Sequence, residues 1–265
     1  MVIAYCNGSF LQLNKPYFSE SESGVFTTIL IEDARIYFLE EHLIRLQEHA
    51  KKLNILINPI SEKVLFQLIE KNKAIKGKWR IRIIITTKIV LATIQKEKSS
   101  QVEKISLNLF QMPFVSAEAK LKTLANFKRL ELLEYANKKG FNDCITFDEN
   151  QNILETSIAN IFWIKDSSFY YPDPKLPYLQ GITLSFAIKV AKKINLNIQS
   201  GKYKLNHLED AEVFYCNSMK KILPVIQIEN IKKLKESKRQ LEFIRHFHEV
   251  AKAHSTYFVL KTQQF

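Results

Sequence analysis

Three stretches hold the residues with the most chemical potential: "LKTLANFKRLELL" (121–133), "LETSIANIFWI" (154–164) and "LQGITLSFAI" (179–188). The first offers an amine, Lys122, in a chain crowded with lysines, where a solvated side chain is the ordinary role. The second sets Glu155 at the end of "ILE", inside an otherwise apolar pair of strands and before small residues; its other reading is an exposed strand-end carboxylate. The third opens a helix at Gly181-Ile182-Thr183. A helix N-terminus presents unbonded N–H groups and a positive dipole end, which suit a phosphate. Upstream, His42, Arg45 and Leu46 form an H-x-x-R-L run. Arg45 can offer a fork to phosphate oxygens or pair with Glu41 at i−4. Its neighbour His42, one turn away, can face the same ligand as Arg45 or, equally, serve in capping or packing. Late in the chain, "CNSMKKILPV" carries Ser218, a small hydroxyl residue or simply a turn residue.

The elements that must position these groups read as two α/β domains. With 265 residues, of which 46% are hydrophobic, the chain can bury a sizeable core. Residues 1–112 form a small N-terminal domain, "PFVSAEAK" (113–120) a linker, and 121–265 a larger C-terminal domain. In the first domain, 25–39 reads as two strands around an Asp33-Ala34-Arg35 turn. Residues 40–55 form an amphipathic helix with Leu43, Leu46, Ala50 and Leu53 on one face. A helix near 60–74 and the strands "WRIRIIITT", "IVLATIQ" and "KISLNLFQM" follow. The second domain begins with a helix near 126–139, stopped by Gly140. Strands "DCITF", "ILETS", "NIFWI" and "FYY" come next, then a loop with three prolines. A helix at 181–194, strands "AEVFYCNS" and "ILPVIQIE" and a helix at 237–253 complete it.

Composition trims the function classes. The formal net charge is +12, so nucleic-acid binding must be weighed. The basic runs 71–82 and 232–239 lack interleaved aromatics and read as solvated faces, so no nucleic-acid partner is expected. Six glycines, with no G-x-G-x-x-G or Walker loop, disfavour a nucleotide fold. Cys6, Cys144 and Cys216 are scattered, and His246 and His248 have no Cys or Asp partner nearby. No disulfide framework and no metal site are expected. No apolar run reaches membrane-span length, and no signal peptide is read; the expected compartment is the cytoplasm.

Together the motifs resemble the class IV pyridoxal-phosphate enzymes, the branched-chain and D-amino acid aminotransferases and aminodeoxychorismate lyase, with the last similar in length and wording. The carrying residues are Lys122, the Glu155-x-x-x-x-Asn160-Ile161-Phe162 run, Gly181-Ile182-Thr183, and His42-x-x-Arg45-Leu46. The resemblance implies a two-domain fold-type IV enzyme with pyridoxal 5'-phosphate as cofactor. It implies that Lys122 holds the cofactor's aldehyde as a Schiff base and moves protons at the substrate carbon. Glu155 would keep the ring nitrogen protonated. Arg45, Ile182, Thr183 and Ser218 would hold the phosphate. It also implies a homodimer with sites between the domains, near the subunit boundary. Exposed-looking apolar residues before and within the hairpin (Phe10, Tyr17, Phe18, Phe26) agree with such an interface.

The reaction is read from departures. Aminotransferases of this type commonly have Glu where Thr27 stands, and the Thr27-Thr28 pair resembles the lyase branch. Phe127 stands where branched-chain enzymes place a Tyr. Phe26 and Thr28 share a strand face by period-two alternation and are expected to point into the substrate pocket. The R-[GA]-F…G-D-G segment is replaced by "YFSESESGVF", and the usual carboxylate-binding Arg loop is missing after "RIIITT". Cofactor binding is thus expected to be retained and substrate recognition altered. The expected activity is conversion of 4-amino-4-deoxychorismate to p-aminobenzoate and pyruvate. The alternatives are amino-group transfer from D-amino or branched-chain amino acids, and a non-catalytic basic protein on the same scaffold.

Overall fold

The computed structural model describes residues 2–13, 23–56, 60–97, 102–110, 112–113, 119–235 and 237–258. The "SESES" loop up to Glu22, Tyr17, Phe18 and most of the expected linker lie outside them. The chain divides into two units. One contains Met1–Ser100, Leu121–Ala125 and Ala251–Phe265, the other Gln101–Lys120 and Asn126–Val250. This differs from the expected cut at 113–120. The strand "KISLNLFQM" pairs with the second unit, and the five residues around Lys122 belong to the first.

The first unit is a seven-stranded sheet with two helices. Its strands are β1 (Val2–Cys6), β2 (Ser9–Leu13), β3 (Gly24–Glu32), β4 (Arg35–Ile36), β5 (Lys78–Thr86) and β6 (Val90–Lys96), joined by the late strand Thr256–Tyr257. Their order is Thr256–Tyr257, β4, β3, β5, β6, β1, β2, antiparallel throughout. Two tight turns use left-handed backbone: Asn7-Gly8 (φ 43° and 95°) and Asp33-Ala34 (φ 48° and 61°), as a primed hairpin turn requires. Helices α1 (Leu39–Lys52) and α2 (Glu62–Lys71) pack their apolar faces on Val25, Ile29, Ile31, Ile81, Ile83 and Ile85. The α1 ends suit the helix dipole, with Glu40 and Glu41 in the first turn and Lys51 and Lys52 in the last.

β4 covers only the far end of β3, so the near end has room for one more partner. Residues 122–124 fill it. Phe26 N–H donates to Lys122 O (3.0 Å) and Leu124 N–H to Gly24 O (2.9 Å), flanking a Val25–Thr123 bridge. Gly24 permits this approach: a Cβ there would lie 2.6 Å from Ile85 O and 2.9 Å from Leu124 Cδ1.

The second unit is an eight-stranded sheet with three helices: β7 (Ile105–Leu109), α3 (Phe127–Lys138), β8 (Asp143–Phe147), β9 (Ile153–Thr156), β10 (Asn160–Lys165), β11 (Ser168–Pro172), α4 (Ile182–Lys193), β12 (Asn197–Gly201), β13 (Glu212–Asn217), β14 (Lys221–Ile228) and α5 (Lys238–Ala253). The sheet order is β12-β11-β10-β13-β14-β7-β8-β9. Gly140 takes φ 82° as the expected stop of α3. One face of the sheet buries Ile145, Ile161, Trp163, Val213 and Val225. On the other, Phe162 stacks between Phe169 (4.6 Å) and Phe214 (4.7 Å), with Phe243 of α5 at 5.8 Å. Among the described residues, no helix is long and apolar enough to cross a membrane and no cluster could hold a metal.

Candidate active site

The α1 face turned to β3 carries His42, Arg45 and His49, spaced at i, i+3 and i+7, so all three lie on one stripe. Arg45 Nη2 donates to Thr27 Oγ1 at 3.1 Å, and that oxygen lies 2.6 Å from His42 Nδ1. The Thr27 hydroxyl has one proton and two acceptor sites, so it can serve Arg45 and His42 together, with the direction of the His42 contact set by the imidazole tautomer. Burial, then the charges of Arg45 and Lys122, hold His42 well below its ordinary pKa, so it is neutral. Arg45 itself is brought down to about 10 by burial. Its alternative partner, Glu41, is instead engaged with His254 (2.7 Å). Among the described residues, no carboxylate pairs with Arg45. A buried guanidinium without a counterion is costly unless an anion arrives.

Lys122 extends its side chain to the other side of β3. Its Nζ lies 4.6 Å from the Phe26 ring centroid, and Arg82 Cζ lies 4.4 Å from the same ring. The first unit thus gathers an amine and a second cation on the Phe26 face, within reach of cation–π contact. Phe26 is 7% exposed, packed with Ala4, Ile84, Leu91 and Leu124, and Phe10 lies partly buried against Tyr5. The reading of both as exposed apolar residues is therefore corrected: β-sheet packing, not a free surface, takes them up. Thr28 shares the Phe26 face, as alternation requires, and is partly buried.

In the second unit, Glu155 on β9 is 5% exposed. Its Oε1 accepts from Arg129 Nη2 (2.7 Å) and from Leu179 N–H (3.2 Å). Leu179 O in turn accepts from Asn160 Nδ2 (2.7 Å), and Asn160 Oδ1 accepts from Gly181 N–H (2.8 Å). One relay thereby ties the Glu155 carboxylate to the start of α4. A Cβ on Gly181 would sit 2.4 Å from Asn160 Oδ1, so the relay needs glycine there. The helix begins with no side-chain cap, and Thr183, 2% exposed, has its Oγ1 buried without a partner. Uncapped first-turn N–H groups with an orphaned hydroxyl make a cradle suited to phosphate. Ser218 lies in the β13–β14 turn, which Asn217 Oδ1 closes by accepting from Met219 N–H (3.0 Å) and Lys220 N–H (2.8 Å).

Four residues here have no place in the sequence reading. Arg129 looks like a solvated helix cation, yet it is the ion-pair partner of Glu155. Asp143 is buried and accepts from Cys144 N–H, Thr156 Oγ1, Ser157 N–H, Ser157 Oγ and Tyr215 Oη. It braces the turn after Glu155, although burial raises its pKa. Arg82 supplies the second cation at Phe26. His49 accepts from the Lys122 backbone N–H (3.0 Å). Only His49 has a readable signal, its helical spacing from Arg45.

Two histidines held neutral make stability sensitive to acid. Burial, then Arg45, Lys52 and Lys122, bring His49 down to about 4, whereas in the unfolded chain it titrates near 6.5. Between these values the unfolded state binds the extra proton, so stability falls as pH falls from roughly 6.5 to 4. Urea unfolding at a series of pH values should show a steeper acid loss in the wild-type protein than in a His49→Asn variant. Parallel curves would contradict the assignment.

The Amino-transferase class IV family model matches residues 24–228, and the chain belongs to that family, an enzyme family. The aminodeoxychorismate lyase of Bacillus subtilis (strain 168) is 27% identical over 256 residues, covering 86% of this chain and 87% of that protein. The branched-chain aminotransferase of the thermophilic archaeon Thermoproteus uzoniensis, solved with norvaline, superposes with a TM-score of 0.86 at 16% identity, covering 96% of this chain and 95% of that one. The Escherichia coli branched-chain amino acid aminotransferase gives 0.84 at 19%, covering 96% and 95%. The fold-type IV architecture expected from the motifs is thus the architecture of the chain.

Proposed function

We propose that this chain is a pyridoxal-phosphate-dependent lyase that converts 4-amino-4-deoxychorismate to p-aminobenzoate and pyruvate. The observation that carries the reading is the Thr27 hydroxyl between His42 and Arg45. A neutral residue stands where the aminotransferase pattern has a carboxylate, which leaves the Arg45 charge for phosphate and the β3 face without an acid. The whole-length likeness to a curated lyase supports it. The residues present have the chemistry a phosphate-bearing cofactor needs: Arg45 is a buried guanidinium that pairs with no carboxylate among the described residues, and Thr183 has a buried hydroxyl without a partner at an uncapped helix start.

Bound pyridoxal phosphate supplies the electron sink that takes up charge as a proton leaves the amine-bearing carbon. Lys122 would hold the cofactor covalently through its amine. Once the substrate's amine has displaced it from the cofactor, the freed Lys122 amine would take the proton from the amine-bearing ring carbon and return it to the enolpyruvyl methylene. The bond from the ring carbon to the ether oxygen breaks, that oxygen leaves as the carbonyl of pyruvate, and the ring becomes aromatic. Glu155 keeps a carboxylate for the pyridine nitrogen, and Arg129 and the Leu179 N–H hold it in place. Arg45, the Ile182 and Thr183 amides, the Thr183 hydroxyl and Ser218 would hold the phosphate. Phe26 and Thr28 line the substrate side, and Arg82 suits a substrate carboxylate. The family resemblance supports a homodimer as the working form in the cytoplasm.

A class IV aminotransferase is the second reading, favoured by the likeness in fold to branched-chain enzymes. Lys122 would then move the same proton, but a 2-oxo acid would be consumed and no pyruvate released from the substrate. Purified holoprotein given 4-amino-4-deoxychorismate should release pyruvate and p-aminobenzoate in equal amounts without added 2-oxo acid. Turnover only with an amino acid and a 2-oxo acid would overturn the lyase reading in favour of transfer.

Removing Arg45 tests the phosphate role. Arg45→Ala should weaken pyridoxal phosphate affinity by roughly tenfold to a hundredfold, the worth of a charge-assisted contact. The cofactor-free protein should lose little stability, because an uncompensated buried charge goes with it. Cofactor titration followed by fluorescence, beside thermal melts, checks both. Unchanged affinity would return Arg45 to a structural role.

A further inference from the structure

The backbone of Lys122 is held from two sides. Its carbonyl accepts from Phe26 N–H on β3. In a continuing antiparallel ladder its N–H would turn to β3 as well. Instead it donates to His49 Nδ1 on α1, at 3.0 Å. The ladder therefore stops at the lysine, and an imidazole takes over from the strand. The Lys122 side chain then reaches the Phe26 ring, while its amide is tethered to the helix that carries Arg45 one turn earlier.

We propose that His49 is a positioning residue for Lys122: its Nδ1 fixes the lysine backbone at the end of the ladder and so sets where the amine can reach. The proposal rests on the reading of Lys122 as the cofactor-holding lysine. An amide N–H can only donate, so His49 Nδ1 must be the bare nitrogen and its proton sits on Nε2. The charges around it come from α1 itself (Arg45, Lys52) and from the lysine it holds (Lys122), and with burial they keep the ring neutral down to about pH 4. At 7% exposure the ring is shielded from water, so water cannot readily replace it as acceptor. A one-residue tether matters because a shift of about 1 Å at a reacting group can cost on the order of a hundredfold in rate.

Two variants separate positioning from bulk. His49→Leu fills the space but offers no acceptor. His49→Asn places an oxygen two bonds from Cβ, where Nδ1 was. In cofactor-free protein, amide exchange read by NMR should show Lys122 N–H exchanging at least tenfold faster in His49→Leu and near the wild-type rate in His49→Asn. The Leu124 N–H, bonded to Gly24 O, should stay slow in both. In holoprotein, His49→Leu should lower kcat at least tenfold with KM little changed, and His49→Asn should recover most of it. Unchanged Lys122 exchange in His49→Leu, or equal kcat losses in the two variants, would overturn the proposal. Lys122→Ala protein run alongside separates the failures. Cofactor still fixed covalently there overturns the reading of Lys122 and with it the role of His49. A lost cofactor bond together with unchanged exchange in His49→Leu overturns the His49 proposal alone.

Discussion

Lys122→Ala protein should lose turnover by about a thousandfold or more, since a positioned acid–base group alone is worth on the order of 10²–10⁴ and the covalent hold on the cofactor goes too. It should keep its fold. The contacts that seat residue 122 are made by its backbone, with Phe26 N–H and His49 Nδ1, and alanine keeps both. What is lost is the amine beside the Phe26 ring. Steady-state kinetics with circular dichroism and thermal melts check the pair of expectations. A variant that turns over near the wild-type rate would remove Lys122 from the chemistry; one that unfolds would make the residue structural.

Glu155→Gln should lower turnover by about a hundredfold or more while cofactor stays bound. Glutamine keeps an oxygen for Leu179 N–H and Arg129 Nη2, so the relay through Asn160 to Gly181 has reason to survive. The charge does not survive, and an amide cannot stabilise a protonated ring nitrogen. Arg129, whose side chain is 21% exposed, also loses its ion pair, which should cost some stability because a part-buried charge is left uncompensated. Arg129→Gln is the control: it leaves the carboxylate but frees its position. Kinetics on both variants, with bound cofactor measured by absorbance, should show Glu155→Gln as the larger loss. Near-parental turnover in Glu155→Gln would contradict its role at the ring.

Much of this arrangement is legible in the residue pattern because it is local. The α1 stripe follows from helical spacing, the shared face of Phe26 and Thr28 from strand alternation, and the start of α4 from Gly181. What the pattern hides is non-local. Residues 121–125 follow a linker-like stretch and read as the start of the second domain, yet they pair with β3 almost a hundred residues earlier. Arg129 looks solvated until β9 brings Glu155 to it. Asp143 is one carboxylate at a strand start, and three of its five donors arrive only with Thr156 and Ser157 after Glu155, and a fourth with Tyr215 of β13. β12, "NIQSG", is a polar edge strand paired in parallel with β11, so neither alternation nor apolarity marks it. The Val2–Leu13 hairpin, absent from the sequence reading, does carry a local signal in its Asn7-Gly8 turn.

The most direct measurement is to reduce the holoprotein with borohydride, digest it and locate the pyridoxyl group by peptide mass spectrometry. The account predicts that the modification maps to Lys122 and disappears in Lys122→Ala protein. A pyridoxyl group on any other lysine, or none on a protein that still turns over, would contradict it.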